Sequence, residues 1–274
     1  MLTGGLLVLG TACLLSLMVG ARTVSPSTVV EALGAYDGSL TDHVVIRSRM
    51  LRTLAGIAVG AALAVAGAAM QGMTRNPLAD PGILGINAGA TTAVVLGVYL
   101  IDASEVGQIM ALALLGAALG TVAVYTVASL GREGATPVNA GLGSVINALV
   151  MVDDSSLDRL RFWQVGTLGA RSLGDISAVG VLMAIGAVVI LMTTGVLNAL
   201  ALGDDAAVGL GVTVGRARAV LGAAVILLCG AAVALAGPIG FLGLVVPHAA
   251  RLLVGGDYRR IVPLCLLGGP VLIL

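Results

Sequence analysis

The chain has 274 residues, 58% of them hydrophobic and 10% charged, with a mean hydropathy of +1.10 and zero net charge. A water-soluble domain carries about a quarter charged residues, so this composition excludes one, and with no alternating strand pattern only helices can satisfy a backbone placed in lipid. All 14 Lys/Arg positions are arginine, which excludes a Walker A nucleotide loop, because that loop needs a lysine on the phosphates.

Leu2 to Gly20 reads as a first span; it lacks the positive N-terminal cluster of a cleaved signal peptide. Ala21 to Ser48 is polar and reads as an external loop with a short helix near Ser27 to Leu33. Leu51 to Gln71 is a second span. Its Gly56, Gly60, Ala64 and Gly67 recur at three- and four-residue spacing and offer a face for close helix approach. A polar knot follows, Gln71 to Pro81, whose prolines Pro77 and Pro81 forbid a continuous helix. Ile83 to Ile101 is a third span carrying Gly85 and Gly89, and Asp102 to Val106 is a tight turn. Gly107 to Leu130 is a fourth span, with Gly116 and Gly120 as another close-packing pair. Gly131 to Pro137 is a short loop, Val138 to Val152 a shorter fifth span, and Asp153 to Gly174 a polar stretch centred on Trp163. Ile176 to Leu197 is the sixth span and Arg216 to Ala236 the seventh, separated by the glycine-punctuated Asn198 to Gly215. Gly237 to Leu253 is apolar but broken by Pro238 and Pro247. After the charged loop Gly255 to Arg260, Ile261 to Leu274 opens another span that falls short of the roughly 20 residues a crossing needs. The expectation is one all-α, polytopic membrane domain over residues 1–274, with about eight spans and a partial ninth.

Every Asp and Glu maps to a loop or a span end, which disfavours ion-coupled transport, since coupling needs an ionisable group at membrane depth. No serine stands beside His248, the histidine in an apolar run, so no nucleophile–base pair is offered. Cys13, Cys229 and Cys265 lie in apolar runs at no metal-ligand spacing and read as small core residues. No catalytic, cofactor, metal or nucleic-acid site is therefore expected, and a pump of this kind must draw its energy from another protein.

Four stretches carry the remaining signal. In Asn198 to Gly215, the residues Gly203, Gly209, Gly211 and Gly215 cut an apolar run into pieces too short to span, and Asp204 or Asp205 could cap the second piece. Two such helices suit docking into a partner's groove or lying on lipid. Arg49 and Arg52 stand at the start of span two, where cations oppose the helix dipole; they can snorkel to lipid phosphates or face a partner. Asn76, Pro77 and Leu78 make a rigid turn with a self-capping asparagine. Pro247 removes a backbone bond and can kink its helix. His248 reads as a packing or interface residue, and Trp163 as an interfacial anchor.

Arg-x-x-Arg from Arg49, Val-Gly-Ala-Ala-Leu-Ala-x-Ala-Gly, Gln71, and Arg-Asn-Pro-Leu-Ala-Asp-Pro from Arg75 to Pro81 together resemble the permease subunits of ABC importers for iron-siderophores, vitamin B12 and haem, the FecCD-type family. Leu-Asn-x-Leu-x-Leu-Gly-Asp-x-Ala-x-x-x-Leu-Gly-Val, Gly237 to Arg251, and Trp163–Gln164 extend the likeness over nearly the whole chain. The resemblance implies a type II ABC importer permease that pairs with an identical or related second permease. It implies cytoplasmic ABC ATPases contacted through Leu200, Leu202, Gly203, Asp204, Ala206, Leu210 and Gly211, and an external substrate-binding protein met by Arg49 and Arg52. It places gate or pathway roles on Gln71, Asn76, Pro77, Leu78 and Pro247, with Gly131 to Pro137 as a matching gate loop. Arginine counting is silent on orientation, so the N-terminus, the knot and Asn198 to Gly215 are assigned to the cytoplasm by resemblance. The implied location is the bacterial cytoplasmic (inner) membrane, and the favoured cargo an iron(III)-siderophore. Family members have about ten spans, so the sequence reads as incomplete at its C-terminal end. An ion-coupled secondary transporter and a non-transporting membrane scaffold are the alternatives.

Overall fold

A computed structural model describes residues 2–130, 138, 141–144, 168–169 and 171–274. All secondary structure among them is helical: α1 (Leu2–Met18), α2 (Pro26–Gly34), α3 (Thr41–Thr74), a 3-10 turn (Pro81–Leu84), α4 (Ile86–Ile101), α5 (Val106–Leu130), α6 (Leu173–Met192), α7 (Thr194–Ala201), α8 (Asp204–Gly209), α9 (Val214–Ala236), α10 (Leu242–Val254) and α11 (Tyr258–Ile273). Most of the fifth span (Val138–Val152) and the Trp163–Gln164 signature lie outside the described residues, as does the Gly131 to Pro137 loop.

Among the described residues, α3, α5, α6 and α9 are long and apolar enough to cross a membrane; α1, α4 and α10 are apolar but shorter. In the 18-residue apolar window of α3, 78% of residues are buried, against 22% for α6. The small residues explain that centrality. Gly60 meets the backbone of Gly269 on α11, and Gly67 meets the backbone of Gly243 on α10, so three helices approach to main-chain contact. Gly89 on α4 packs in the same way against Gly116 and Gly120 on α5, the two glycine pairs expected from spacing. Cys229 and Cys265 are buried as expected, and Cys13 is half-buried.

Three element boundaries differ from the sequence reading. First, α3 begins at Thr41 rather than near Leu51, so its 34 residues reach about 51 Å, well past the hydrocarbon core. The polar residues broke the apolar run that marks a span, but His43, Ile46, Arg49 and Thr53 are all buried and sit three or four apart, a helical stripe facing α1 and α2. Arg49 and Arg52 are therefore interior positions of α3, away from its N-terminal dipole. Second, span three starts at Ile86, because Asp80 caps a 3-10 turn first. Third, the sixth span starts at Leu173, where Ser172 and Asp175 form a capping box, and breaks at Thr193; its last residues belong to α7, which continues into the glycine-punctuated stretch.

Candidate functional site: a proline-locked turn and a glycine-punctuated stretch at one end of the bundle

α3 ends at Arg75, which adopts the left-handed conformation (φ 55°). Pro77 then bars helix and biases Asn76 toward extended backbone. The Asn76 side-chain oxygen accepts the Leu78 N–H at 2.9 Å, and the Asn76 carbonyl accepts Ala79 N–H at 3.1 Å. Asp80 Oδ1 accepts Gly82 N–H at 2.7 Å. The turn is rigid and self-capped, as its residue types predicted, and Asn76, Pro77 and Leu78 stand exposed at its tip, Leu78 at 74%.

Pro247 and Gln71, far apart in sequence, meet. Pro247 lies inside α10 and has no N–H to give the carbonyl four residues back, that of Gly243. Gln71 Nε2 donates to that same carbonyl at 3.2 Å. A buried carbonyl left without a partner is costly, and the Gln71 amide, 2% exposed, supplies the missing bond from another helix. The amide's oxygen accepts from the Arg251 guanidinium. Arg251 is four residues beyond Pro247, on the same face of α10. His248, by contrast, is exposed.

The glycine-punctuated stretch turns on two glycines. Gly203 (φ 115°) precedes α8 and Gly211 (φ 82°) follows it, conformations that cost glycine little and a Cβ-bearing residue more. Neither Asp204 nor Asp205 is the cap; Gly203 occupies that position and both aspartates lie in the first turn. Asp204 Oδ1 instead pairs with Arg218 of α9 at 2.9 Å and is approached by Arg75 at 3.8 Å, joining this stretch to the end of α3. Leu202, Ala206 and Leu210 are exposed, as is Val208, which the motif did not single out. Leu200 is the exception among the residues the motif singled out: at 1% exposure it anchors α7 in the core. One face of α7 and α8 thus grips the bundle while the other presents apolar side chains outward.

Asn198 fastens α7 to the start of α11. Its amide donates to Asp257 Oδ1 at 2.7 Å and its oxygen accepts Tyr258 N–H at 2.9 Å. That bond, with the Arg259 backbone N–H, holds the Asp257 carboxyl below the usual carboxylate range. Asn198, Arg218, Arg251 and Asp257 were missed as site residues because their partners are up to 180 positions away in sequence, and only their polarity beside apolar helices marked them.

At the opposite end, Arg49 is buried and donates to the carbonyls of Leu17 and Arg22, closing the chain after α1. Ser16 and Thr53 hydroxyls bond at 2.9 Å beside it. Arg52 is exposed. The paired external arginines of the sequence reading therefore diverge: Arg49 binds its own chain, and Arg52 remains outward-facing. Arg47 lies 4.8 Å over the Tyr36 ring.

Long apolar helices with main-chain-close packing, a proline-locked turn at one end and a short surface helix tied to it describe a polytopic helical membrane protein. The chain matches the FecCD transport family over residues 6–274 and belongs to that family, whose members are permease subunits of ABC importers working with an ATPase and a binding protein. It is 41% identical over 280 residues to the ferric enterobactin transport system permease protein FepD of Escherichia coli (strain K12), covering 99% of this chain and 84% of that one. It is 39% identical over 268 residues to the Fe(3+)-citrate import system permease protein YfmD of Bacillus subtilis (strain 168), covering 94% and 79%. The vitamin B12 import system permease protein BtuC of Vibrio cholerae serotype O1 (strain ATCC 39315 / El Tor Inaba N16961) is 36% identical over 274 residues, covering 96% and 80%. The fold of this chain matches a solved structure reported as an inward-facing conformation of a putative metal-chelate type ABC transporter, with a TM-score of 0.84 and 24% identity over 99% of this chain and 87% of that one.

Proposed function

We propose that this permease imports an iron(III)-siderophore across a bacterial cytoplasmic membrane, pairing with a second permease copy or relative, with α7 and α8 as its ATPase contact. The observation carrying the coupling assignment is the two-sided α7–α8 element: Leu200 and Ala207 are buried, Leu202, Val208 and Leu210 are exposed, and Asp204 bridges toward Arg75, which starts the gate turn. A helix lying on lipid would explain the apolar face alone; the link to the end of α3 favours a contact whose movement reaches the gate. The siderophore assignment rests on relatives named for ferric enterobactin and ferric citrate that match at higher identity than those named for vitamin B12. It is tested by competition in vesicles holding permease, ATPase and binding protein. Radiolabelled ferric enterobactin uptake should be reduced by unlabelled ferric siderophore and unaffected by vitamin B12 or hemin; preferential uptake of B12 would reassign the cargo.

The coupling role makes a separate demand. Gly203→Val forces a β-branched residue to φ 115°, where L side chains are strained, and so displaces α8. The variant should insert normally yet co-purify with far less ATPase than wild type. Wild-type amounts of bound ATPase would remove α8 from the interface.

For the binding protein, Arg52 is the remaining outward-facing member of the Arg49–Arg52 pair. A rim charge contributes about 0–1 kcal/mol to affinity but steers encounter. Arg52→Glu should insert normally and lower uptake chiefly by slowing association, with partial rescue by a Glu→Arg change on the binding protein. Unchanged uptake with the unmodified binding protein would instead make Arg52 a lipid anchor.

A further inference from the structure

We propose that Gln71 and Arg251 form a latch across the Gly243–Pro247 break in α10, through which movement of the coupling stretch resets the gate turn; Arg251 acts as a positioning residue. This rests on reading α7 and α8 as the ATPase contact.

Three observations converge on it. Pro247 has no N–H for the Gly243 carbonyl, so α10 lacks a main-chain bond at that level and can bend there more easily than an intact helix. The bond Gly243 does receive comes from Gln71 on α3, and Arg251, beyond the break, reaches the same amide. The two sides of the break are therefore held by a single side chain of the helix that ends in the gate turn. The helix carrying Arg251 is also tied to the coupling end, because α10 packs against α11. At the start of α11 the Tyr258 ring packs against Gly72, next to Gln71, and the Tyr258 backbone N–H is held by Asn198 of α7. Among the described residues no carboxylate pairs with Arg251, so its charge rests on neutral acceptors.

The path has few joints: Asn198 on α7, Tyr258 on α11, Arg251 on α10, Gln71 on α3. Displacing α7 carries the start of α11 with it. Arg251 then shifts relative to Gln71, and the angle of α10 at the break changes against α3. Three residues beyond Gln71, α3 ends at Thr74 and gives way to Arg75 and the exposed tip Asn76–Leu78.

The test uses permease, ATPase and binding protein reconstituted together, with ferric enterobactin as the uptake probe. Leu78→Cys in a Cys13→Ala background provides a substrate-independent probe, labelled by a membrane-impermeant maleimide with and without nucleotide. Arg251→Gln and Gln71→Leu should retain bound ATPase and ATP hydrolysis, lose uptake by about tenfold or more, the scale of a site-to-site coupling, and label at a rate indifferent to nucleotide. Arg251→Lys, which keeps the charge and a donor, should recover much of the nucleotide response. The latch is overturned if Arg251→Gln keeps both uptake and nucleotide-dependent labelling, or if it sheds the ATPase. It is equally overturned if neither Arg251→Gln nor Gln71→Leu reaches the membrane folded, since the contact is then structural. Failure of the ATPase-contact reading registers separately, as undiminished ATPase on Gly203→Val.

Discussion

Arg49→Glu should yield little or no folded permease, whereas Arg52→Glu should fold normally. Arg49 is 9% exposed and its guanidinium is spent on the carbonyls of Leu17 and Arg22. Those carbonyls close the segment between α1 and α2 onto the flank of α3. A glutamate there would point a buried carboxylate at two carbonyl oxygens with no cation to meet it. Removing one member of a buried charged contact costs about 3–5 kcal/mol, a large share of the roughly 5–15 kcal/mol that holds a native domain together. Monodisperse protein recovered from detergent-solubilised membranes, followed through a thermal ramp, gives the measurement. Arg49→Lys should be intermediate, because a lysine keeps a donor but not the planar fork that serves two carbonyls at once. Wild-type yield and melting for Arg49→Glu would show that the guanidinium is not needed for folding and is free to serve a partner.

Gly67→Ala should also be destabilising, although it adds only one methyl group. A Cβ at Gly67 would lie 2.0 Å from the Gly243 carbonyl oxygen and 2.5 Å from its Cα. The obstacle is main chain on both sides, so no rotamer change relieves it, and α3 and α10 must move apart. Overpacking of this kind costs about 1–3 kcal/mol and more when the backbone cannot yield. The separation also pulls Gln71, one turn further along α3, away from the Gly243 carbonyl it satisfies. Gly180→Ala on α6 is the control: no heavy atom lies within 4 Å of its Cβ position, and alanine in a helix interior favours folding by about 0.5–1 kcal/mol over glycine. Yield and thermal midpoint should fall for Gly67→Ala and hold or rise for Gly180→Ala. Equal behaviour of the two variants would show that α3 and α10 are not in main-chain contact.

The sequence by itself determined the class of molecule. Low charge and high hydropathy require lipid as solvent, and lipid requires helices, so the all-α membrane architecture follows before any contact is known. Local chemistry also determined the punctuation. Pro77 and Asn76 dictate a self-capped turn, Gly203 and Gly211 dictate positive φ on either side of a short helix, and small-residue spacing marks the close-packed faces of α3, α4 and α5; each depends on residues within a few positions of one another. Tertiary structure alone decided which long-range partner each polar group takes. Arg49 and Arg52 share a motif and a helix, yet one faces the end of α1 and the other faces outward, because a three-residue step rotates the side chain about 60° off the first around the axis. Leu200 and Leu202 differ in the same way, one in the core and one exposed. Pro247 announced a missing bond, but nothing local could say that Gln71, 172 residues from Gly243, would fill it and in turn hold Arg251. A buried carbonyl in lipid must find a donor, and which donor reaches it is fixed only when α3 and α10 pack glycine to glycine.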